Sequence, residues 1–442
     1  MRPGRTAGGR AKFSPLEYRD PSPAPWLIHT LGVVNRLAIL PGLLRITRFD
    51  LPAADRARLA AAVSRNTAAF VGPNHPEFFT DWMVDKEVSR RVSPLMAHWA
   101  SYEIVNAGPL ARAFWLANNL IANVPGGGGK VHSVEWAARG HGVLLHPEGT
   151  ATWQGERVGP LLPGIVDMAW ETATRLRARG EARAVWLVPL AWRLSFTGDV
   201  RRGLARDLSA LERGLSLPRG DRLAVHERFP ALMRHLLSRQ CERLGLSTPR
   251  VGGAGDYFEA QAAALAELEQ DLAERYGALD PDLTRAQFHL RKAMRERAAT
   301  DPDGVRRDRA RLAELQRLAS FDPALYDRAD LEQERMAEVL KRTRSSLLTR
   351  GIGNAVHNMI PIAAGPRVVH VRVAEPIAVP ADERGEEEGV AARAALLAEH
   401  RSRLQSLLDR IGAEIAPAVA RFRLPNPLHR SARPNGADAR PG

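Results

Sequence analysis

The chain has 442 residues, 45% of them hydrophobic, which suffices for two domains or for one large domain with an insertion. Lys and Arg number 63 against 50 Asp and Glu, and the net charge of +13 favours anionic partners such as acidic lipid surfaces, nucleic acid or phosphorylated substrates. The single cysteine, Cys241, excludes an intramolecular disulfide and a multi-cysteine zinc site, and it fits a reducing cytoplasmic compartment.

Residues 1–50 predict a basic tail followed by an amphipathic helix. The tail lacks a short apolar core with a small-residue cleavage site, so we predict no signal peptide. Polar residues and a proline interrupt the apolar segment from Trp26 to Leu44, which disfavours a membrane span of about 20 apolar residues. His29, Gly32 and Arg36 share one helical face, a pattern typical of a helix lying in a membrane interface. A helix packed on the following domain is the alternative.

Residues 51–200 predict the first part of an α/β domain, because short apolar runs alternate with helical segments. The polar segments Asn74–Asp81 and His146–Thr150 each follow directly after one of these apolar runs. Ligands of open α/β folds bind at the carboxyl ends of the strands, so both segments are expected at one edge of a sheet. The predicted buried strands are Ala68–Val71, Val143–Leu145 and Val185–Leu190.

Residues 201–350 predict a helical insertion, since the composition shifts to Arg, Glu, Ala and Leu with few strand-like runs. One helix has apolar residues at helical spacing and stops at Gly277, and a second is predicted from Pro323 to Arg350. The mixed charges favour a solvated bundle surface, and no aromatic residues are interleaved with them, so we predict no nucleic-acid partner. Docking of this region on a membrane or on another subunit remains open.

After the insertion, the apolar run Val368–Val373 is expected to return the chain to the sheet. The α/β core is therefore predicted to be discontinuous, with residues 351–415 as its second part. A final helix is predicted from Gly389 to Ile411. Residues 416–442 are rich in Pro, Arg and Gly and are predicted to be disordered.

The two polar segments carry the candidate chemistry. His75 is followed closely by Asp81, and a histidine held by a carboxylate can take a proton from an alcohol at neutral pH. An isolated histidine would more often be a core or capping residue. The neighbouring Asn74 and the distant turn Glu148–Thr150 favour catalysis, and together they indicate acyl transfer to a hydroxyl group.

Four short segments occur in a fixed order: Asn74-His75 with Asp81, Leu145–Ala151, Trp186–Leu190 and Val368–Ile377. This order, with His75 and Glu148 73 residues apart, resembles the glycerolipid acyltransferase family typified by 1-acylglycerol-3-phosphate acyltransferase. In that family the first block is Asn-His, four residues and Asp. The third block is Phe-Pro-Glu-Gly-Thr-Arg, and the fourth is a strand containing Val-Pro.

The chain departs from this family pattern at three places. Asp81 follows His75 by six positions where the family has five, so either the turn bulges to keep Asp81 at the imidazole or the orienting role has weakened. We favour a bulge, because Pro76 already prevents a regular helix from starting at His75. The third block ends Thr150-Ala151 without the family's arginine. The second block, Gly-x-x-Phe-Ile-x-Arg in the family, appears as Asn123–Lys130 and also lacks arginine.

The resemblance implies a role for each motif residue. His75 would be the general base, and Asp81 would steady its imidazolium; as an alternative, Asp81 caps the following helix. Glu148 would contact the glycerol or head group of the acceptor, and the alternative is a surface turn residue. Gly149 would allow close backbone approach, and Thr150 would donate a hydrogen bond there.

Lys130 and Arg157 are candidates to replace the missing arginines, by position alone. Four glycines at 126–129 precede Lys130, but a nucleotide-binding loop requires Ser or Thr where Val131 stands, so we predict a mobile turn beside the acceptor site. No His or carboxylate spacing matches a zinc helix, and no metal is predicted. A serine hydrolase is disfavoured, because the sequence has no Gly-x-Ser-x-Gly elbow.

The sequence therefore predicts an α/β acyltransferase-type mixed sheet flanked by helices and interrupted by an all-helical insertion. Its expected reaction moves a fatty acyl group from acyl-CoA or acyl carrier protein to a lysophospholipid hydroxyl, with lysophosphatidic acid as the default acceptor. We expect no cofactor, and a peripheral or monotopic location on an anionic membrane surface at the cytoplasmic face. The rival hypothesis is a non-catalytic membrane-associated scaffold with a degenerate domain. A weaker hypothesis is nucleic-acid binding, which predicts that binding to duplex or single strands depends steeply on salt concentration.

Overall fold

A computed structural model shows a mixed α/β protein whose mostly parallel sheet is flanked by helices, as the sequence predicts. The structure describes residues 17–218, 220, 222–247, 257–280, 283–319, 321–348, 351–380, 386–426 and 428–429. Its strands are β1 Ile46–Asp50, β2 Thr67–Pro73, β3 Ala97–Ser101, β4 Leu120–Asn123, β5 Val143–Leu144, β6 Ala184–Phe196, β7 Asp330–Leu331, β8 Arg367–Val373, β9 Ile377–Ala378 and β10 Leu424–Pro425.

The helices cover both faces of the sheet and build the insertion. Helix α1 continues directly into a π-helix at Asn35–Leu43, and short 3-10 helices occupy Pro323–Tyr326 and Ala420–Phe422. The α-helices are α1 Pro25–Val34, α2 Ala53–Ala62, α3 Thr80–Val92, α4 Tyr102–Val105, α5 Pro109–Ala117, α6 Gly129–Ala138, α7 Gly164–Ala178, α8 Arg201–Gly214, α9 Val225–Leu244, α10 Tyr257–Tyr276, α11 Leu283–Arg297, α12 Pro302–Ala319, α13 Gln333–Leu347, α14 Ile352–Met359 and α15 Glu386–Val419.

One eight-stranded sheet has the order β1-β8-β6-β2-β5-β3-β4, and β9 pairs with β6. The five strands from β6 to β4 in this order run parallel. Strand β8 runs antiparallel to β6 and parallel to β1, so the chain does return to the sheet after the insertion. Because β2 and β5 are parallel neighbours, the two polar segments that follow them meet at one edge of the sheet.

The predicted strands are present, although their lengths differ. Strand β2 is buried along almost its whole length without alternation, as expected for a central parallel strand covered on both faces. Strand β6 extends well beyond the predicted Val185–Leu190. Strands β1, β3 and β4 were not predicted, because they are short and carry polar residues such as Arg48 and His98.

The insertion has its own hydrophobic core, but it is not all-helical as predicted. Strand β7 pairs antiparallel with β10 from the end of the described chain, and Leu331 and Leu424 are both buried in the insertion core. The predicted helix Pro323–Arg350 is wrong at its start, since a 3-10 helix and β7 precede α13. Asp322 caps the 3-10 helix by accepting a hydrogen bond from Ala324 N (2.9 Å). The predicted end falls on residues 349–350, outside the described residues.

Two predicted boundaries are also wrong. Residues 46–50 form β1 and belong to the sheet, so the N-terminal segment ends before residue 46. The predicted disordered tail 416–442 begins inside α15, which is held along β6 by buried side chains at its C-terminal half. Leu428 is buried in the insertion core, and residues 430–442 lie outside the described residues.

The N-terminal helical rod Pro25–Leu43 packs on the following domain, which is the second of its two predicted alternatives; the membrane interface stays a prediction. One side packs on α3, where Asn35 Nδ2 donates to Met83 O (2.8 Å) and Arg36 pairs with Glu87 (2.8 Å). The other side exposes apolar side chains, including Trp26 and Leu37. Within the described part of the chain, this is the one helix long and apolar enough to cross a membrane.

Candidate active site

The first site loop leaves β2 at Asn74, which fastens it to the neighbouring strand β6. Asn74 Nδ2 donates to Trp192 O (3.0 Å), and Trp192 N donates to Asn74 Oδ1 (2.8 Å). The next residue, His75, is therefore held just beyond the end of the sheet. Its carbonyl accepts a hydrogen bond from Thr152 N (2.8 Å), which ties it to the loop after β5.

Glu148 ties the same two loops together through its carboxylate. Its Oε1 accepts a hydrogen bond from His75 N (2.7 Å), and its Oε2 accepts one from Gly159 N (2.8 Å). Burial raises the pKa of Glu148 to about 7, against the two backbone donors. Glu148 is thus a bridge that holds the backbone of His75, and its predicted contact with the acceptor remains a prediction.

A bulged turn brings Asp81 to His75 despite the longer spacing. Phe79 has a φ of 64°, and Thr80 N donates to Phe78 O (2.8 Å), which closes a γ-turn immediately before α3. Asp81, in the first turn of α3, then places Oδ2 3.0 Å from His75 Nδ1. The two atoms are at hydrogen-bonding distance but poorly aligned, and such contacts often tighten only when substrate binds.

A second histidine, His146, stacks on His75 and was missed by the sequence analysis. The ring centroids are 4.2 Å apart, with 20° between the planes. His146 Nδ1 lies 3.0 Å from Asn74 O, and its Nε2 lies 2.9 Å from Asp85 Oδ2. Asp85 follows Asp81 by four residues, and that helical spacing, which places both carboxylates on one face of α3, was the available clue.

Burial and neighbouring charges separate the protonation states of the two rings. Burial lowers the pKa of His75 well below its ordinary value, and the charge of His146 lowers it further. Burial also acts to lower the pKa of His146, but the Asp85 carboxylate outweighs it and raises that pKa to about 9. Burial raises the pKa of Asp81 to about 7. At neutral pH, His75 is therefore an unprotonated imidazole beside a carboxyl group.

The same cluster offers three potential ligands for a metal ion. Side-chain atoms of His75, Asp81 and His146 all lie within 4.8 Å of one another. A metal ion lies in the plane of each imidazole that binds it, along the nitrogen lone pair. Because only 20° separates the planes of the two stacked rings, one ion cannot lie in both planes at bonding distance from both nitrogens. The arrangement thus favours proton transfer over coordination.

Comparison with known proteins adds no assignment. No protein-family model matches the sequence, and no curated protein matches it significantly. Function is therefore inferred from the residues of this site and from the motif resemblance.

The remaining predicted site residues lie on different elements around the site. Gly149, with a φ of 70°, and Thr150 are exposed at the rim of the loop after β5. Lys130 is exposed at the start of α6, behind β4, which lies two strand spacings or roughly 10 Å from β5. Arg157 pairs with Asp322 of the insertion. The charge of Arg401, on α15, acts on Glu148 and was not predicted.

Helix α13 of the insertion contacts both site loops. Its Lys341 pairs with Glu77, two residues after His75, and Arg367 Nη1 pairs with the same carboxylate at 2.8 Å. Glu338, one turn earlier, accepts a hydrogen bond from Gly155 N (2.9 Å) in the other loop. The insertion is thereby part of the framework that holds the site.

Away from His75, a hydrogen-bonded series of Ser, His and Asp side chains crosses three neighbouring strands. Ser195 Oγ lies 2.9 Å from His370 Nε2, and His370 Nδ1 lies 3.1 Å from Asp50 Oδ2. Arg372 Nη2 also pairs with that oxygen of Asp50, at 2.8 Å. Ser195 and His370 are buried, so this series is a polar ladder that joins β6, β8 and β1.

Proposed function

We propose that this chain moves a fatty acyl group from acyl-CoA or acyl carrier protein to the hydroxyl of a lysophospholipid, with lysophosphatidic acid as the expected acceptor, in phospholipid biosynthesis. The observation that carries the proposal is the position of His75 at the carboxyl edge of the sheet, with Asp81 Oδ2 3.0 Å from its Nδ1; burial there lowers the pKa of His75 well below its ordinary value. The order of the four motif segments supports acyl transfer as the reaction and an acyltransferase-type sheet as the fold.

In this reaction His75 Nε2 takes the proton of the acceptor hydroxyl as the oxygen attacks the thioester carbonyl. Asp81 stabilises the resulting imidazolium through Nδ1. The tetrahedral intermediate then collapses, the C–S bond breaks, and the departing thiolate takes the proton from His75. Attack is direct, so the reaction forms no acyl-enzyme and uses no cofactor beyond the thioester.

An apolar surface beside the site supports a lipid acceptor. We use this name for the exposed apolar side chains of α1 with its π-helix, of α5 and of α14; its most exposed members are Trp26 (71%), Leu37 (70%), Leu110 (88%) and Ile352 (85%). Large exposed apolar patches commonly mark membrane or protein contacts. With the net charge of +13, this surface favours peripheral binding to an anionic membrane, which we place at the cytoplasmic face.

The α1 and α5 parts of the apolar surface are connected to the helix that carries Asp81. The start of α1 is joined to α5, since Ala24 N donates to Ala117 O (2.9 Å). Trp115 of α5 in turn packs edge to face against Trp82, the neighbour of Asp81, with ring centroids 4.8 Å apart. A membrane that contacts this surface would therefore lie next to the candidate site.

Thiol release from acyl-CoA or acyl carrier protein tests the proposal, with and without lysophosphatidic acid. We expect acceptor-dependent release and an acylated lipid product, reduced about 10²–10⁴-fold in His75→Ala. His141→Ala is the matched control, because His141 precedes β5 and lies at the opposite edge of the sheet. Release that survives in His75→Ala would overturn the role of His75 as the general base, and no release with any donor and acceptor would favour the scaffold hypothesis. A burst of acyl-enzyme would contradict direct transfer.

A further inference from the structure

Both ring nitrogens of His146 face hydrogen-bond acceptors. Nδ1 lies 3.0 Å from the carbonyl oxygen of Asn74, and Nε2 lies 2.9 Å from Asp85 Oδ2. A carbonyl oxygen only accepts, so Nδ1 carries a proton. Burial raises the pKa of Asp85, while the charge of His146 and the hydrogen bond from it act to lower that pKa. With Asp85 ionised, its oxygen also only accepts, and the geometry is satisfied when both nitrogens carry a proton. His146 is then a cation, locked in place, at the position where the family pattern has Phe.

His146 is also surrounded by the titratable groups of the site. Asp85 pairs with it directly, and Asp81 Oδ2 lies 3.8 Å from its Nε2. His75 stacks on the His146 ring. The charge of His146 also acts on Glu148 and, together with the charge of Lys86, on His98 of β3. Two carboxyl groups therefore hold the cation on one side, and the ring of the candidate base covers its face.

We propose that His146, anchored by Asp85, is a positioning residue for acyl transfer: a fixed, largely buried cation whose ring orients His75 by stacking and promotes proton release from it. This inference rests on the proposed role of His75 as general base. When His75 takes the proton of the acceptor, two cationic rings face each other at 4.2 Å. Their repulsion drives the proton onward to the departing thiolate, and Asp81 keeps the intermediate state accessible.

Titration of the imidazole groups by nitrogen NMR tests this arrangement without any need for activity. We compare the native chain with His146→Gln, which keeps a polar side chain and loses the charge, and with the control His141→Gln. In the native chain His146 should stay protonated beyond pH 8, and His75 should titrate below pH 6.5. In His146→Gln the pKa of His75 should rise by about one to two units, because a unit charge one ring distance away is removed. An unchanged pKa of His75, or a neutral His146 at pH 7, would overturn the proposal.

The pH dependence of kcat/KM gives a second readout. An unprotonated His75 is required, so the rate falls as pH drops through the pKa of His75, and this acid limb should move upward in His146→Gln by the same amount as the NMR titration. A merely structural role would lower the rate at every pH and leave the limb in place.

The double variant His146→Gln/Asp85→Asn removes the cation and its anchor together. If His146→Gln does not fold, the double variant can be used instead, because it leaves no unpaired Asp85 carboxylate buried. An acid limb and a His75 titration like those of the native chain would contradict the proposal here too. If native protein releases no thiol with any acceptor, the proposed function fails, while the NMR titration still decides whether His146 is the fixed cation.

Discussion

A single γ-turn residue absorbs the extra position between His75 and Asp81. Phe79 has a φ of 64°, which strains a residue with a side chain by about 1–3 kcal/mol. The ring of Phe79 packs against the buried apolar cluster that contains Leu40 and Leu44, and this packing offsets the strain. The γ-turn at Phe79 thus keeps the Asp81 carboxylate beside His75 despite the extra residue, and the orienting residue is still an aspartate, as in the family pattern.

At the same scale, the substitution Glu148→Gln tests whether Glu148 bridges the two site loops or binds the acceptor. The amide would turn its NH₂ group toward one of the two backbone donors and leave a buried N–H unsatisfied, at a cost of about 1–3 kcal/mol. We expect a lower melting temperature and a lower kcat, with the KM for lysophosphatidic acid nearly constant. Glu135→Gln, on the exposed side of α6, is the control. A raised KM at unchanged stability would show that Glu148 binds the acceptor instead.

At the scale of elements, helix α13 links the insertion to the loop that carries His75. Lys341 and Arg367 share the buried carboxylate of Glu77, and burial opposes its ionisation but the two cations prevail, which holds its pKa near 2. Glu338 meanwhile holds the other loop at Gly155. A helix 180 residues or more away from either loop in sequence therefore helps to set the geometry of the site.

Removal of this link should loosen the site. In Lys341→Met the carboxylate of Glu77 loses one of the two cations paired with it, and broken buried ion pairs commonly cost about 3–5 kcal/mol. We expect a lower free energy of unfolding and a kcat reduced at least tenfold, measured by denaturant titration and thiol release. Lys341→Arg, which retains the charge, should restore most of both. Full activity in Lys341→Met would mean that the insertion does not position the loop.

For the whole molecule, the apolar surface and the net charge predict how the protein meets a membrane. The double variant Trp26→Glu/Leu37→Glu should bind anionic phosphatidylserine vesicles at least tenfold more weakly in flotation, because two exposed apolar side chains no longer enter the interface. Leu223→Glu, on an insertion residue that is 54% exposed, is the matched control and should bind normally. Equal binding by all three proteins would contradict the proposed surface.

Parts of this architecture depend only on local sequence and could be predicted from it. The buried runs of β2, β5 and β8 and the shift to helix-forming residues after Phe196 follow from composition and periodicity within a few residues. His75, Asp81 and Glu148 could be singled out because strand ends and turn residues flank them. The polar strand β1 and the two-residue strands β7 and β10 escaped prediction, since their apolar contacts come from partners far along the chain.

The sequence by itself determined the buried strands β2, β5, β6 and β8 and the residues that follow β2 and β5 at the carboxyl edge, because backbone preferences and hydrophobic periodicity act between near neighbours. Only the tertiary structure decided the electrostatics of the site. His146 meets Asp85 across 61 residues, and Lys341 meets Glu77 across 264. Such pairs form because folding brings distant strands and helices together and excludes water from between them, so that each buried charge is stabilised by the one that folding places beside it.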